Sequence, residues 1–284
     1  MKAEIRALAE RSTHDCRGSG EWRRGICLAC DLRTGKPDRR GSFSFNAGTG
    51  WYRCFKCGLV GRLDGDYADA VDRLQGEEPE TLYIDPPESF YELGRGDGRT
   101  AECLEPHRQH LIKRGLTDEV LWREAHIGGC FEGYYRGRVI VPVLDPEGQW
   151  RGFVARAWEK KAQVPYLYPK GMNRRELLYN HAALLKRTDR PCFVVEGVMD
   201  ALALWPDAVA VLGKPSDPQV FALADAPRPI VACLDGDAWE EGRTLAMTLQ
   251  LEGQEAGFVR LPPGKDPDEM PREWLDEEAR LCLG

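Results

Sequence analysis

Two kinds of metal-ligating side chain dominate this sequence of 284 residues, and they cluster toward opposite ends. Near the N-terminus, Cys27 and Cys30 in C-L-A-C and Cys54 and Cys57 in C-F-K-C form two C-x2-C pairs separated by 23 residues. One tight turn supplies two thiolates to one side of a tetrahedron, and a second turn supplies the other two. That is the ligand set of one zinc ion. Four thiolates leave no open coordination position, so the expected zinc is structural. Cys16 and His14 lie just upstream and remain alternative ligands. The other five cysteines stand singly, and no apolar leader opens the chain, so metal is expected here rather than a disulfide framework.

Toward the C-terminus the recurring group is a carboxylate. Glu196 closes C-F-V-V-E, and Asp200 follows one turn later in G-V-M-D. Asp235 and Asp237 close I-V-A-C-L-D-G-D, while Asp266 and Asp268 lie in G-K-D-P-D-E after G-F-V-R-L. Each apolar run reads as a strand, so three strands deliver acids at their C-terminal ends, the edge where open α/β sheets build sites. The spacing places Asp235 and Asp237 on one side of an extended segment, with Gly236 permitting close backbone approach. Six such acids repel one another unless cations lie between them. Hard oxygen ligands suit Mg2+ or Mn2+ rather than zinc, and paired ions of this kind serve phosphoryl transfer.

The elements that must position these groups follow from pattern. Between the cysteine pairs, S-F-S-F and W-Y-R bracket a turn, as expected of a small hairpin. Its aromatics are candidates both for a tiny core and, among cations, for base stacking. Tyr67, Ala70, Val71 and Leu74 give a helical stripe over residues 62–75. Residues 76–98 are acidic and broken by proline and glycine, as in a linker, with Leu82–Ile84 a candidate edge strand. A helix is expected from about 99 to Lys113, then a second with Thr117 as N-cap. R-V-I-V-P-V-L and Q-W-R-G-F-V-A-R around D-P-E-G predict a hairpin. From residue 192, strands near 192–196, 208–212, 230–234 and 257–261 alternate with helices over 198–205, 216–225 and 238–254. Such alternation predicts a mostly parallel sheet with helices on both faces.

The net charge of −7 conceals four blocks: residues 1–60 carry +6, 61–98 carry −8, 99–191 carry +6 and 192–284 carry −11. The basic blocks are suited to nucleic acid and the acidic ones are not, so the total excludes nothing. No apolar run reaches the ~20 residues of a membrane helix. A soluble cytoplasmic protein without a membrane partner is the expectation.

E-G-V-M-D, L-D-G-D and K-D-P-D-E, in that order, resemble the TOPRIM domain of DnaG-type bacterial and phage DNA primases. L-I-K-R-G-L-T, the predicted hairpin and P-Y-L-Y-P-K-G resemble the basic subdomain that precedes it, and the double knuckle with Y-R-C-F-K-C-G resembles their zinc module. The resemblance covers residues 15–270. It implies an α/β TOPRIM domain (191–284), an α+β basic subdomain (99–190), the acidic linker (76–98) and a β-rich zinc ribbon (1–75). It further implies short RNA primers made on single-stranded DNA from NTPs, a nucleotidyl transfer using two or more Mg2+ or Mn2+ ions.

Carried over motif by motif, Glu196, Asp235 and Asp237 would be catalytic, with Asp200, Asp266 and Asp268 completing the metal ligands. Arg114, Arg138, Arg156, Lys170 and Arg174 would contact nucleotide or template, as would Trp51, Arg53 and Lys56 on the ribbon. Two departures bear on this. The second zinc position is Cys30, as in many phage members. The lysine usual before the Y-L motif is Pro165 here, leaving Lys160, Lys161, Lys170, Arg174 and Arg175 as substitutes. No G-x4-G-K-[ST] loop occurs, so a helicase is expected as a separate chain. Competing expectations are a zinc and TOPRIM recombination mediator that clamps DNA without catalysis, and a TOPRIM nuclease.

Overall fold

The alternation between the cysteine pairs becomes strand β2 (Phe43–Asn46), paired antiparallel with β3 (Trp51–Cys54) so that Phe43 faces Cys54 and Phe45 faces Tyr52. Two strands that the pattern did not reveal, β1 (Trp22–Gly25) and β4 (Val60–Arg62), extend the hairpin to a four-stranded sheet of order β1-β2-β3-β4. Phe43, Phe45 and Tyr52 are buried with Cys27, Cys30 and Cys54, so these aromatics build the small core. Helix α1 (Lys2–His14) precedes the sheet, and the short α2 (Cys30–Thr34) leaves the first knuckle. The Ser12 hydroxyl accepts the Leu28 N–H at 2.9 Å, tying α1 to that knuckle.

This is one compact unit, residues 1–81, and residues 82–284 form a second. The computed structural model describes residues 2–14, 16–17, 22–47, 50–57, 59–62, 83–94, 98–159 and 162–284. Arg62, where a helix over 62–75 is expected to start, ends β4; residues 63–75, much of the expected linker, and Lys160 and Lys161 lie outside the described residues.

In the second unit, β5 (Phe90–Glu92), β6 (Gly128–Cys130), β7 (Arg138–Leu144), β8 (Trp150–Ala157) and β9 (Tyr166–Leu167) form an antiparallel sheet in that order. β7 and β8 are the predicted hairpin. Asp145 closes its turn by accepting the Gln149 N–H at 2.7 Å. β5 falls inside the stretch expected as linker, because Phe90 finds an apolar partner face in Trp150 (5.2 Å) that composition alone does not disclose. Of the expected Leu82–Ile84 strand, the Ile84 N–H reaches the Trp150 carbonyl at 3.1 Å. Helices α3 (Gly98–Ile112) and α4 (Glu119–Glu124) pack beside this sheet. The N-cap of α4 is Asp118 rather than Thr117: its carboxylate accepts the Val120 N–H at 2.8 Å.

The last hundred residues give a parallel sheet of order β11-β10-β12-β13, from β10 (Cys192–Val195), β11 (Ala208–Ala210), β12 (Ile230–Ala232) and β13 (Ala256–Phe258). The β10, β11 and β12 runs are apolar throughout because both faces are covered. α5 (Val198–Ala203) and α8 (Arg272–Leu283) cover one, meeting Phe193, Val195 and Val231. α6 (Asp217–Ala224) and α7 (Trp239–Leu251) cover the other, meeting Cys192, Val194 and Ile230. α8 was not expected in its acidic stretch; Leu275 and Ala279, one turn apart, are its buried stripe. The first of these clusters runs on through Leu104, Leu111, Val139, Val141 and Val154, so the antiparallel and parallel sheets share one core. That shared core fixes the basic subdomain against the acid-bearing strand ends.

Candidate metal centres and nucleotide cleft

The four cysteine sulfurs all lie within 4.8 Å of one another. Cys27 to Cys57 is 3.8 Å and Cys30 to Cys54 is 3.4 Å, the separations of a tetrahedral cage. Burial, and then hydrogen bonding to Cys54, push the Cys30 thiol up to about 12, and the same two causes raise Cys27 further. Thiols placed so ionise together only around a cation, and four sulfurs in a closed cage suit zinc. Cys16 is outside the group and donates to the Ser12 carbonyl. The His14 side chain lies outside the described residues.

Asp38, which sequence patterning does not single out, orders this cage. Its carboxylate accepts from the N–H groups of Cys27 (3.0 Å), Arg40 (3.0 Å) and Ser42 (2.7 Å) and from the Ser42 hydroxyl. Burial acts to raise its pKa, but these donors outweigh burial and hold it below the usual range. A lone acid in P-D-R-R reads as a solvated turn, and only the fold brings the knuckle N–H to it.

The acids sit where the strand-end argument places them. Glu196 follows β10, Asp200 lies in the first turn of α5 and Asp235 follows β12. Asp266 caps, and Asp268 lies within, a short 3-10 turn (Pro267–Glu269) beyond β13. Glu196, Asp200, Asp235 and Asp266 line one cleft of about 340 Å³, together with Tyr166, Tyr168 and Arg174. Burial and then Asp235 push Glu196 up to about 7. Burial and then Asp268 push Asp200 up to about 7. Burial and then Asp266 push Asp235 up to about 6. The Asp235 Oδ1 is buried with no hydrogen-bond partner. A buried carboxylate oxygen without a donor calls for a proton or a cation, so hard divalent ions fit this donor set. The cleft is nonetheless open. Among the described residues, no three of these acids bring ligating atoms within 4.8 Å of one another, as the cysteines do.

Asp237 requires a correction. Residues 235–238 form a turn, closed by the Ala238 N–H on the Asp235 carbonyl, rather than an extended segment. Asp237 is exposed and does not line the cleft, although its charge raises Glu196 and Asp235. Gly236 is needed for close approach, but to protein: a Cβ there would lie 2.2 Å from the Pro262 carbonyl oxygen.

A larger cleft, about 1000 Å³, adjoins through Asp266, which lines both. Its walls carry His110, Lys113, Arg114, Arg156 and Trp158 together with Asp266 and Asp268. Arg114 donates to Asp268 at 2.8 Å. Arg156 lies over the Tyr166 ring (4.4 Å) and Arg174 over Tyr168 (4.2 Å), which holds each guanidinium plane in orientation. Burial, then Arg114 and Arg156, push His110 down to about 4, so it is neutral at pH 7.

Other expected contacts are placed differently. Arg138 spends its guanidinium on the carbonyls of Ala155 (3.1 Å) and Val164 (3.0 Å), bracing β8 rather than facing a ligand. Lys170 is exposed and lines neither cleft. On the zinc unit Trp51 is only 8% exposed and belongs to the interior. Lys56 donates to the Lys36 and Pro37 carbonyls. The exposed ring is Phe55, 48% accessible and flanked by Arg24 (5.7 Å) and Arg53 (5.5 Å).

A parallel sheet with acids at the ends of three strands, preceded by a basic antiparallel sheet and a four-cysteine ribbon, defines a Toprim protein with a zinc module; residues 193–270 match the Toprim-like family. The DNA primase of Aquifex aeolicus is 30% identical over 242 residues, 75% of this chain and 48% of that relative. The DNA primase of Legionella pneumophila is 26% identical over 302 residues, 81% of this chain and 51% of the relative. Among solved structures, the zinc-binding and RNA polymerase domains of the Aquifex aeolicus primase align over 98% of this chain and 83% of that one, with a TM-score of 0.54 and 18% identity. The DnaG primase catalytic domain bound to ssDNA aligns over 64% of this chain and 73% of that one, with a TM-score of 0.54 and 24% identity. These structural likenesses establish the fold. The chain carries a Toprim-like domain over residues 193–270, is similar to DnaG-type DNA primases in its four-cysteine motif and Toprim core, and spans about half the length of the curated relatives it matches. No helix among the described residues is long and apolar enough to cross a membrane.

Proposed function

We propose that the chain is a DNA primase, synthesising short RNA on single-stranded DNA from NTPs. The observation that carries this reading is the shared wall. An acid-lined cleft suited to hard cations and a cation-lined cleft suited to phosphates, the latter holding the Arg114–Asp268 pair, meet at Asp266. A clamp without catalysis has no need of that juxtaposition, and it separates this reading from a recombination mediator.

Glu196, Asp200, Asp235, Asp266 and Asp268 would hold Mg2+ or Mn2+, with Asp237 adding its field; bound there, the ions would neutralise the triphosphate and acidify the attacking 3′-hydroxyl. The chain's own groups do the rest. Glu196, titrating near neutrality in the cleft, is placed to accept a proton from that hydroxyl. Arg114, Lys113 and Arg156 present donors along the larger cleft for the phosphates, and Arg174 does so from the lining of the acid cleft. Neutral His110 leaves the cleft's positive charge to the guanidinium and ammonium groups. On the zinc unit, Phe55 between Arg24 and Arg53 offers a base platform with phosphate partners on both sides. Lys170 is available to template from the surface. A separate helicase chain is expected from the family resemblance.

The test is primer synthesis. Zinc-loaded protein given single-stranded templates, NTPs and Mg2+ or Mn2+ should make short RNA that disappears with EDTA. Nucleolytic shortening of the template with no RNA made, across a template library, would instead favour the nuclease reading.

A further inference from the structure

The larger cleft holds nitrogen atoms that phosphate binding does not account for. His110 and Trp158 both line it. The His110 Nε2 and the Trp158 Nε1 are each buried without a hydrogen-bond partner. A buried polar atom left alone is costly, and native structures almost always supply it with a partner. Two such atoms on residues lining one cleft mark a place where a bound molecule completes the hydrogen bonding.

Both residues are held by rigid elements. His107, one turn earlier on α3, is only 2% exposed and sets its Nε2 3.2 Å from the Cys130 carbonyl. It fills the space beside Gly129, where a Cβ would fall 2.6 Å from its ring. That contact seats α3 on β6 and fixes the position of His110. Trp158 directly follows β8. Its backbone N–H donates to the Gly137 carbonyl at 3.2 Å, and its ring meets His107 edge-on at 6.4 Å. The two orphaned groups therefore stand on a helix and a strand end, the kind of support a selective site needs.

The two nitrogens have opposite polarity. An indole N–H can only donate. The His110 ring is neutral at pH 7, pushed down by burial and then by Arg114 and Arg156, so it carries a single N–H. The Trp158 backbone accepts a hydrogen bond from the ring, which acts to raise its pKa, and Nε2 is the nitrogen without a partner. Nε2 is thus left as an acceptor. An ionised phosphate brings no hydrogen to it, and Lys113, Arg114 and Arg156 in the same cleft are donors only. The ligand must bring a group that both donates and accepts. Nucleobase edges do so but differ among the four NTPs, whereas a templated enzyme admits all four to one cleft. A sugar hydroxyl is common to them all. Of the two on the ribose, the 3′ is the next nucleophile, which leaves the 2′ for recognition.

We infer that His110 and Trp158 read the ribose 2′-hydroxyl of the incoming nucleotide, the His110 Nε2 accepting its hydrogen and the Trp158 indole donating to its oxygen. The role in RNA synthesis rests on the primase reading; the match of the two nitrogens to a hydroxyl does not. A deoxynucleotide leaves both nitrogens unpaired, and a site built to hydrogen-bond a hydroxyl rejects the analogue that lacks it. His110 is the specificity residue of this pair.

The experiment uses the zinc-loaded full chain with Mn2+. Calorimetry compares binding of ATP, 2′-dATP and 3′-dATP, and primer synthesis compares NTPs with dNTPs. Wild type should bind ATP and 3′-dATP alike and 2′-dATP more weakly. His110→Phe, which keeps a ring but no acceptor, should narrow the preference for ATP over 2′-dATP by about 10-fold in affinity and in kcat/KM. Trp158→Phe, lacking the indole N–H, should narrow it by about 5-fold. His110→Gln, which restores an acceptor, should recover part of it. Damage to the fold lowers both nucleotides together and leaves the ratio alone, so a ratio unchanged in both Phe variants overturns the site even if primers are made. A shift in the preference over 3′-dATP, with that over 2′-dATP untouched, overturns the assignment to the 2′-hydroxyl. A wild type that makes no RNA yet prefers ATP to 2′-dATP, with the preference lost in His110→Phe, leaves the ribose site standing and removes the primase reading.

Discussion

The two candidate metal-binding regions solve opposite problems. In the zinc unit, four sulfurs already stand within 4.8 Å of one another and most are buried. In the second unit, the acids share a cleft, yet no three have ligating atoms that close together among the described residues. The first arrangement is complete on metal binding and has no coordination position left for a substrate. The second leaves room for water, phosphate and hydroxyl. The difference lies in the scaffolds. Two C-x2-C turns on one small sheet converge by local geometry, whereas Glu196, Asp235 and Asp266 come from three separate strand ends held apart by strand spacing. A closed site stabilises a fold, and an open one is available for chemistry.

Removing one ligand from each region should expose that contrast most strongly. Cys54→Ser takes a buried sulfur from the cage. Zinc binding in small Cys-rich modules is linked to about 10–16 kcal/mol of folding free energy. The variant should therefore lose its zinc, read by a colorimetric chelator, and residues 43–54 should lose amide protection while β10–β13 keep theirs. Full zinc occupancy would show that the ligand set is misassigned. Asp235→Asn should do the reverse. Even residues that merely orient metal ligands cost 10- to 100-fold when changed, so loss of a ligand should cut primer synthesis by at least about 10²-fold. Zinc content and circular dichroism should stay at wild-type levels. Retained synthesis would remove Asp235 from the centre.

The open site should also announce itself through pH. The Glu196 and Asp200 carboxyls are raised to about 7 in the folded protein, against about 4 when unfolded. The folded state therefore binds more protons than the unfolded chain in this range. The stability these carboxyls contribute without divalent ions should be full below about pH 4 and be lost as the pH rises through 7. Asp200→Asn removes one of the mutually repelling charges and should flatten that decline, stabilising the metal-free protein at pH 8 by on the order of 2 kcal/mol. Mn2+ should raise the melting temperature of wild type more at pH 8 than at pH 5. A metal-free melting temperature that rises from pH 5 to pH 8 would contradict the crowding of these acids.

What could be read from sequence was what local spacing determines. C-x2-C, the alternation in S-F-S-F, the D-P-E-G hairpin and the acids after apolar runs each carry their geometry within a few residues, and the fold keeps them. What could not be read depends on contacts between distant segments. Asp38 matters because the Cys27 N–H reaches it, and Gln219 because three carbonyls from two loops do. Trp51 and Arg138 are expected as ligand contacts from the family resemblance, which carries motif positions but not their surroundings. The interior of the ribbon takes one, and the carbonyls of Ala155 and Val164 take the other. β5 was hidden in an acidic, proline-rich stretch because its partner face lies about sixty residues on, at Trp150.

The smallest effect tests whether the closed site acts at a distance. If zinc performs no chemistry, its contribution beyond folding is to hold Phe55 on the second knuckle, exposed between two guanidiniums. Stacking on an aromatic contributes about 1–3 kcal/mol per base by alanine substitution. Phe55→Ala should therefore weaken binding of single-stranded template by about 5- to 150-fold, leaving zinc content and Asp235-dependent chemistry on a saturating template unchanged. Phe55→Tyr, which keeps the ring, should bind as wild type. Arg24→Gln should act differently, lowering the salt dependence of binding by about one ion pair without changing base preference. The two variants separate stacking from charge on the same knuckle. If Phe55→Ala lost zinc, or Phe55→Tyr were as weak as the alanine variant, the ring would be part of the cage rather than a surface the cage presents.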